Sequence, residues 1–181
     1  MLSRRLYCLI LLLATSLACA EKKEDSDVQR WMKTDRENMP PPEEQAFPMP
    51  DLAKLKDWRV YDAGRSMGST RVEIATDSVS LGKEDRILRY AIAVIPSTGL
   101  RNVFFEGLDC YSSRYRNYAW GNPDQSWRQN ETVVWRVASK GVRNAWQGAL
   151  IEDFCGDAGP YSQEVVVNSL KKGTLPPKSK D

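Results

Sequence analysis

The side chains best placed for acid–base chemistry in this sequence are carboxylates. Histidine is absent from all 181 residues, which removes Ser-His-Asp and Cys-His nucleophilic catalysis, His-ligated zinc and haem held by a proximal histidine. Glu106, Asp109, Glu152 and Asp153 lie close in sequence to Cys110 and Cys155, and a bond between those cysteines would draw the four acids together. Two carboxylates at a suitable separation hydrolyse glycosides, so a glycan-processing enzyme using Glu106 or Asp109 is one expectation. The bland use of acids at a strand end and a helix end is solvation, or pairing with Arg101, Arg114 and Arg116. It carries more weight, because nothing in the sequence signals a displaced pKa. Gly64-Arg65-Ser66-Met67-Gly68-Ser69-Thr70 has the glycines of a phosphate loop but no lysine where the phosphate-binding cation belongs, and reads as a turn. Asn130-Glu131-Thr132 matches a glycosylation sequon too common to carry an argument.

A second constellation is aromatic. Tyr111, Tyr115, Tyr118, Trp120, Trp127, Trp135 and Trp146 are interleaved with Arg114, Arg116, Arg128, Arg136 and Arg143. Aromatic and Arg side chains anchor binding surfaces and also stack on one another. Core packing is the expected use of Trp135 and Trp146. Trp120 and Trp127 flank the turn Gly121-Asn122-Pro123-Asp124 and, with Arg114 and Arg116, are the candidate ligand contacts. No catalytic residue, cofactor or metal ligand is assigned.

Composition narrows the partners. The chain opens with Arg4 and Arg5, an apolar run from Leu6 to Leu13, and small residues ending in Ala18-Cys19-Ala20, the three-part pattern of an export signal over residues 1–20. Removing Arg4 and Arg5 from the 26 cations leaves 24 against 24 anions. A near-neutral chain lacks the basic surplus that nucleic-acid binding needs. The apolar run is shorter than the roughly 18 residues of a membrane-spanning helix, so no span is expected. Release after Ala20 fits the small-x-small rule. Cys19 is the alternative, as the lipid-carrying first residue of a lipoprotein, although Ser16 and Leu17 stand where such a box wants an aliphatic and a small residue. Once Cys8 and Cys19 leave with the signal or carry lipid, Cys110 and Cys155 remain in a compartment that oxidises thiols, and pairing is expected. With both oxidised, thiolate metal sites and nucleophiles lapse. A redox-active pair is the sharper reading, but such pairs usually stand two residues apart.

The elements that must position these groups follow. Residues 21–57 alternate charges and carry Pro40, Pro41, Pro42, Pro48 and Pro50, which predicts a disordered polar linker. Strands are predicted at 58–61, 71–75, 78–81, 86–95, 102–110, 114–120 and 133–137, with turns at Gly82-Lys83-Glu84-Asp85 and Pro96-Ser97-Thr98-Gly99 making antiparallel hairpins. The fourth strand has apolar residues on both sides and suits burial on both faces. Trp146, Ala149, Leu150 and Phe154 then recur at helical spacing, with Asn144 as cap, Gln147 as second member of a capping box and Gly156 as stop. A second helix is predicted at 163–172 between Ser162 and Gly173, followed by a flexible tail at 174–181. Strands followed by helices give an α+β class: an antiparallel sheet with one or two C-terminal helices packed on it and one disulfide, in a domain spanning 58–173.

Arg101-Asn102-Val103, Glu106-Gly107, Cys110, Arg116, Tyr118-Ala119, Gly121, Asp124, Trp127, Trp135, Asn144, Ala149-Leu150 and Phe154-Cys155 together resemble the cryptic neisserial protein family, over roughly residues 78–173. The loop 121–127 lacks the Arg and Gly of that pattern, and Gly156 replaces a Pro. The resemblance implies a small periplasmic or lipid-anchored protein of Gram-negative bacteria and implies no activity. A Cys and an Arg-x-Tyr-like run after a central strand are also similar to surface-adhesin protein E-like domains, which would imply a host-binding surface. The expectation is a noncatalytic binding or structural module in the periplasm, with an outer-membrane lipoprotein as the alternative location, meeting an envelope protein or glycan. Mass spectrometry of the mature amino terminus is expected to find a chain starting at Glu21; a diacylglyceryl group on Cys19 would establish the lipoprotein form instead.

Overall fold

Turn chemistry and strand alternation act together between Trp58 and Gly121 to produce one antiparallel meander. In a computed structural model of the chain, β1 (Trp58–Tyr61), β2 (Arg71–Leu81), β3 (Leu88–Ile95), β4 (Asn102–Asp109), β5 (Arg114–Gly121) and β6 (Trp127–Gln129) are neighbours in that order, and β7 (Arg136–Val137) also pairs with β5. The structure describes residues 39–40, 42–64, 67–132, 134–139 and 146–176. The expected export signal with Cys19, the expected cap Asn144 and the last five residues of the tail lie outside them. No helix among the described residues is long and apolar enough to cross a membrane.

The predicted strands 71–75 and 78–81 are one strand. A register shift between Ala75 and Ser80 bends β2 without ending it, and Ser78 bridges the irregularity: its hydroxyl donates to Ala75 O at 2.6 Å and accepts from Ala91 N at 2.7 Å. Every residue of β3 is buried, as its two apolar sides require. One face of the sheet carries Val72, Ile74, Leu88, Tyr90, Ile92 and Leu108 against two helices, α1 (Trp146–Phe154) and α2 (Gln163–Lys172). Helix α2 has the expected ends. Ser162 Oγ accepts from Val165 N at 3.3 Å, and Gly173 closes the helix at φ 63°, a left-handed conformation that glycine adopts without steric cost. The end of α1 differs from expectation. Gly156 is not a cap but part of a tiny hairpin, β8 (Cys155–Gly156) with β9 (Gly159–Pro160), and Tyr161 N bonds back to Phe154 O at 3.0 Å. A Cβ on Gly159 would come 2.8 Å from Tyr111 Oη, so only glycine lets this hairpin lie against Tyr111.

Cys110 and Cys155 are bonded, with Cα atoms 5.4 Å apart and a sequence separation of 45. The bridge ties the end of β4 to the end of α1. Closing a loop of that length removes about 4 kcal/mol of unfolded-chain entropy in the chain-entropy model.

The opposite face carries Ala75, Ala91, Phe105, Tyr118 and Ala119, covered by Phe47, Met49, Leu55, Trp58 and Trp127. The predicted linker therefore does not run as a solvated arm to Asp57: its last part lies on the sheet. The reason is electrostatic. Arg89, only 2 % exposed, projects from β3 into this face, with Asp85 at 2.6 Å, Glu44 at 3.4 Å and the Phe47 ring centroid at 4.0 Å from its guanidinium carbon. Glu44 also pairs with Arg116 and accepts from Tyr118 Oη at 2.7 Å. A buried cation needs such partners. Replacing Glu44 with Ala leaves Arg116 without its carboxylate and Arg89 with one instead of two. Denaturant titration is expected to show a loss of about 3 kcal/mol, with Glu44→Gln losing less.

Candidate functional site

The site is built where the outer edge of β5 is broken. Strand β6 pairs with the C-terminal end of β5 and β7 with its N-terminal end. Between them Asn130 substitutes for a continuous strand: its amide donates to Tyr118 O at 2.8 Å, its side chain donates to Asn117 O at 3.0 Å, and its Oδ1 accepts from Thr132 N at 3.1 Å. The predicted strand 133–137 is accordingly only Arg136–Val137, with Val133 outside the described residues, while the strand at Trp127–Gln129 gave no alternation long enough to predict.

A second irregularity sets which residues face the gap. The β4–β5 register pairs Phe105 with Ala119 but Glu106 with Asn117, so Tyr118 is an extra residue on β5. Tyr118 and Ala119 both turn to the N-terminal segment. Tyr115, Asn117 and Trp120 share the helix side with Phe104 and Glu106 and line, with Trp146, Gln147, Thr132 and Arg136, a cleft of about 250 Å³. Arg128, opposite Trp120 in register, places its guanidinium carbon 5.0 Å from the Trp120 ring centroid.

Glu106 lies at the foot of this cleft and is 1 % exposed. Its Oε1 accepts from Gln147 Nε2 at 3.0 Å, and its Oε2 from Trp146 Nε1 at 3.1 Å and Tyr90 Oη at 3.2 Å. Gln147 thus serves the sheet with its side chain, where the sequence reading gave it a capping role. All three donors are neutral, and no cation pairs with Glu106 among the described residues. Burial pushes its carboxyl up to about 7, although the three hydrogen bonds favour the charged form. Burial also raises the Tyr90 hydroxyl well above its usual value, and the neighbouring Glu106 charge adds to this. Beside Glu106, Asn117 Oδ1 is buried with no donor.

The four acids expected to gather do not share a site. Asp109 accepts from the amides of Tyr111 at 3.1 Å and Ser112 at 3.2 Å and from the Ser112 hydroxyl. Asp153 accepts from Tyr61 Oη on β1 at 2.6 Å, and Glu152 is exposed on α1. Among the described residues no cluster of His, Cys, Asp or Glu is arranged to hold a metal ion.

Of the candidate contacts, Trp120 is at the cleft. Arg116 and Trp127 belong to the other face, where Arg116 pairs with Glu44, and Trp127 packs on Phe105 and donates to Pro50 O at 2.7 Å. Arg114 is opposite Asp109 at the start of β5. Asn117 and Phe104 were missed, and the signal available was their position at two-residue steps from Tyr115 and Glu106. A larger depression of about 710 Å³ lies beside Leu52, Trp58 and Arg101; there Arg101 is 4.3 Å from the Trp58 ring centroid and paired with Glu73.

A family model described as the CNP1-like family matches residues 37–171. No curated protein and no solved structure matches the chain.

The raised Glu106 carboxyl makes stability depend on pH. Between the ordinary glutamate value and about 7, the folded protein holds a proton that the unfolded chain has released. Stability is therefore full below that window and falls as pH rises through it, by on the order of 3 kcal/mol. Asp57 and Asp85, held low by hydrogen bonds and ion pairs, act below the window. Thermal melts are expected to be higher near about pH 5 than near about pH 8, and Glu106→Gln should remove most of that difference.

Proposed function

This chain belongs to the CNP1-like family, and we propose on that premise that it is an exported cell-envelope protein whose domain is a noncatalytic binding module, with the Glu106 cleft as its contact site for an envelope protein or glycan. Export is supported by the three-part amino terminus and by a bridge of the kind that persists in oxidising compartments. Binding is supported by the cleft itself. Concave sites lined by aromatic side chains with a few convergent polar groups are the usual form of ligand sites, and Phe104, Tyr115, Trp120 and Trp146 surround Glu106 and Asn117 here.

One observation carries the noncatalytic reading. Glycoside hydrolysis ordinarily uses two carboxyl groups about 5 to 9.5 Å apart across the scissile bond, and Glu106 is the single carboxylate among the described lining residues of the cleft. A neutral-range pKa suits a general acid, yet a lone acid with three protein donors has no partner to activate water or trap the sugar.

A photo-crosslinking residue at Thr132, which is exposed on the rim, tests both halves in the full-length protein in its native cell. The expected result is an adduct that Trp120→Ala abolishes, with no cleavage of envelope glycan by the purified protein. Glycan cleavage that Glu106→Gln abolishes, or the lack of any Trp120-dependent adduct, would overturn the reading.

A further inference from the structure

Several carboxylates of this domain are compensated by cations, and Glu106 is not among them. Glu44, Glu73, Asp57 and Asp85 each lie within ion-pair distance of an Arg or Lys. Asp109 accepts two backbone amides in its own turn. Glu106 is more buried than any of these groups except Asp85, and its partners are a phenol, an indole and a carboxamide. Asn117 Oδ1, opposite it in register, adds a buried acceptor with no donor. A carboxylate withdrawn from water is stabilised by a cation, and the protein supplies none at this place among the described residues.

Resting on the binding-module reading, we infer that the cleft receives an ammonium group, carried by an amino acid or by the amino terminus of a peptide. The ammonium is a three-donor cation that satisfies Glu106 and Asn117 Oδ1 together. The walls favour the same charge, because indole, phenol and phenyl faces attract cations, and Phe104, Tyr115, Trp120 and Trp146 line the cleft. At the rim Arg136 is exposed. It disfavours a bare cation and suits a molecule whose carbonyl or carboxylate lies near its ammonium, as an α-amino group requires. A volume of about 250 Å³ accommodates one amino-acid residue and leaves no room for a long chain to enter whole.

Three other titratable or charged groups lie around Glu106 and the cleft. Tyr90 of β3 and Tyr115 of β5 face Glu106 or the cleft, and Arg136 of β7 is at the rim; α1 contributes only the neutral Trp146 and Gln147. Burial keeps the Tyr90 phenol neutral in this range, so the change in binding between about pH 5 and pH 8 reports Glu106. Binding strengthens as pH rises and Glu106 loses its proton, and bound ligand moves the titration of Glu106 to lower pH.

The test follows the indole N–H resonance of Trp146 in the full mature chain while adding leucine, Leu-Gly-Gly or N-acetyl-Leu-Gly-Gly. Either of the first two is expected to shift the resonance saturably, and which of them does so identifies the free amino acid or the peptide terminus as the source. The acetylated peptide, which lacks the charge, should give no shift. Glu106→Gln is expected to weaken binding by about thirtyfold or more. Asn117→Leu removes a buried acceptor without a donor, so it should weaken binding while leaving the melting temperature unchanged or higher. Equal binding of free and acetylated peptides, or no shift with any of the three, overturns the inference. If the crosslinked adduct still depends on Trp120 in those cases, the binding module stands and only its ligand class is wrong; if the adduct is absent too, both fall.

Discussion

Glu106 brings a carboxyl group into the middle of a packed face and surrounds it, among the described residues, with neutral donors only. The three donors come from β3 and from the first turn of α1, so one carboxylate joins two strands to a helix. Removing an ion from water costs several kcal/mol unless its surroundings replace the lost hydration. Three hydrogen bonds replace part of it. The remainder appears as the upward displacement of the carboxyl pKa. The placement of α1, the shape of the cleft beside it and the protonation of Glu106 are consequently a single coupled problem, because Trp146 is both a donor to the carboxylate and a wall of the cleft.

The other face of the sheet solves the inverse problem by a different route. Arg89 is a buried cation, and the chain surrounds it with Asp85 from the β2–β3 turn, Glu44 from the N-terminal segment and the ring of Phe47. Glu44 reaches Arg116 from the same position. The segment that looks like a spacer is thereby part of the domain. Its apolar residues Phe47, Met49 and Leu55 are few, but they are spaced to fall on Phe105, Tyr118 and Ala91, and the ion pairs fix which stretch of an otherwise irregular chain lies there. One sheet thus buries a carboxyl group on one side with no cation among the described residues, and a cation on the other with two anions.

Most of the meander was legible in the residues. The turns at Gly82 and Pro96 carry their own backbone signals, the double-sided burial of Leu88 to Ile95 is written in its composition, and the second helix has both caps in sequence. The disulfide followed from the count of cysteines and the expectation of an export signal. What escaped was whatever depends on pairing and not on pattern. The register shift at Tyr118 decides that Arg116 and Trp127 face the N-terminal segment while Trp120 faces the cleft, and no period within β5 announces an extra residue. The packing of residues 44–55 was illegible because prolines and mixed charge describe the local chain, whereas its partners Arg89 and Arg116 lie tens of residues away. Gln147 was assigned to a cap because its spacing from Asn144 fits one, and the competing acceptor was a carboxylate 41 residues earlier in the chain.

The divided margin of β5 also bears on how copies of this protein meet in a crowded compartment. Open strand margins expose rows of unmatched amides and carbonyls, which template aggregation by strand addition. At β5 that row is taken up in three pieces, by β6, by the Asn130 amide and side chain, and by β7. At the far margin β1 is only four residues long, and its Arg59 pairs with Asp57. Neither margin offers a long flat template, so the interruption that opens a hollow in the surface also guards the sheet against polymerising with its own kind.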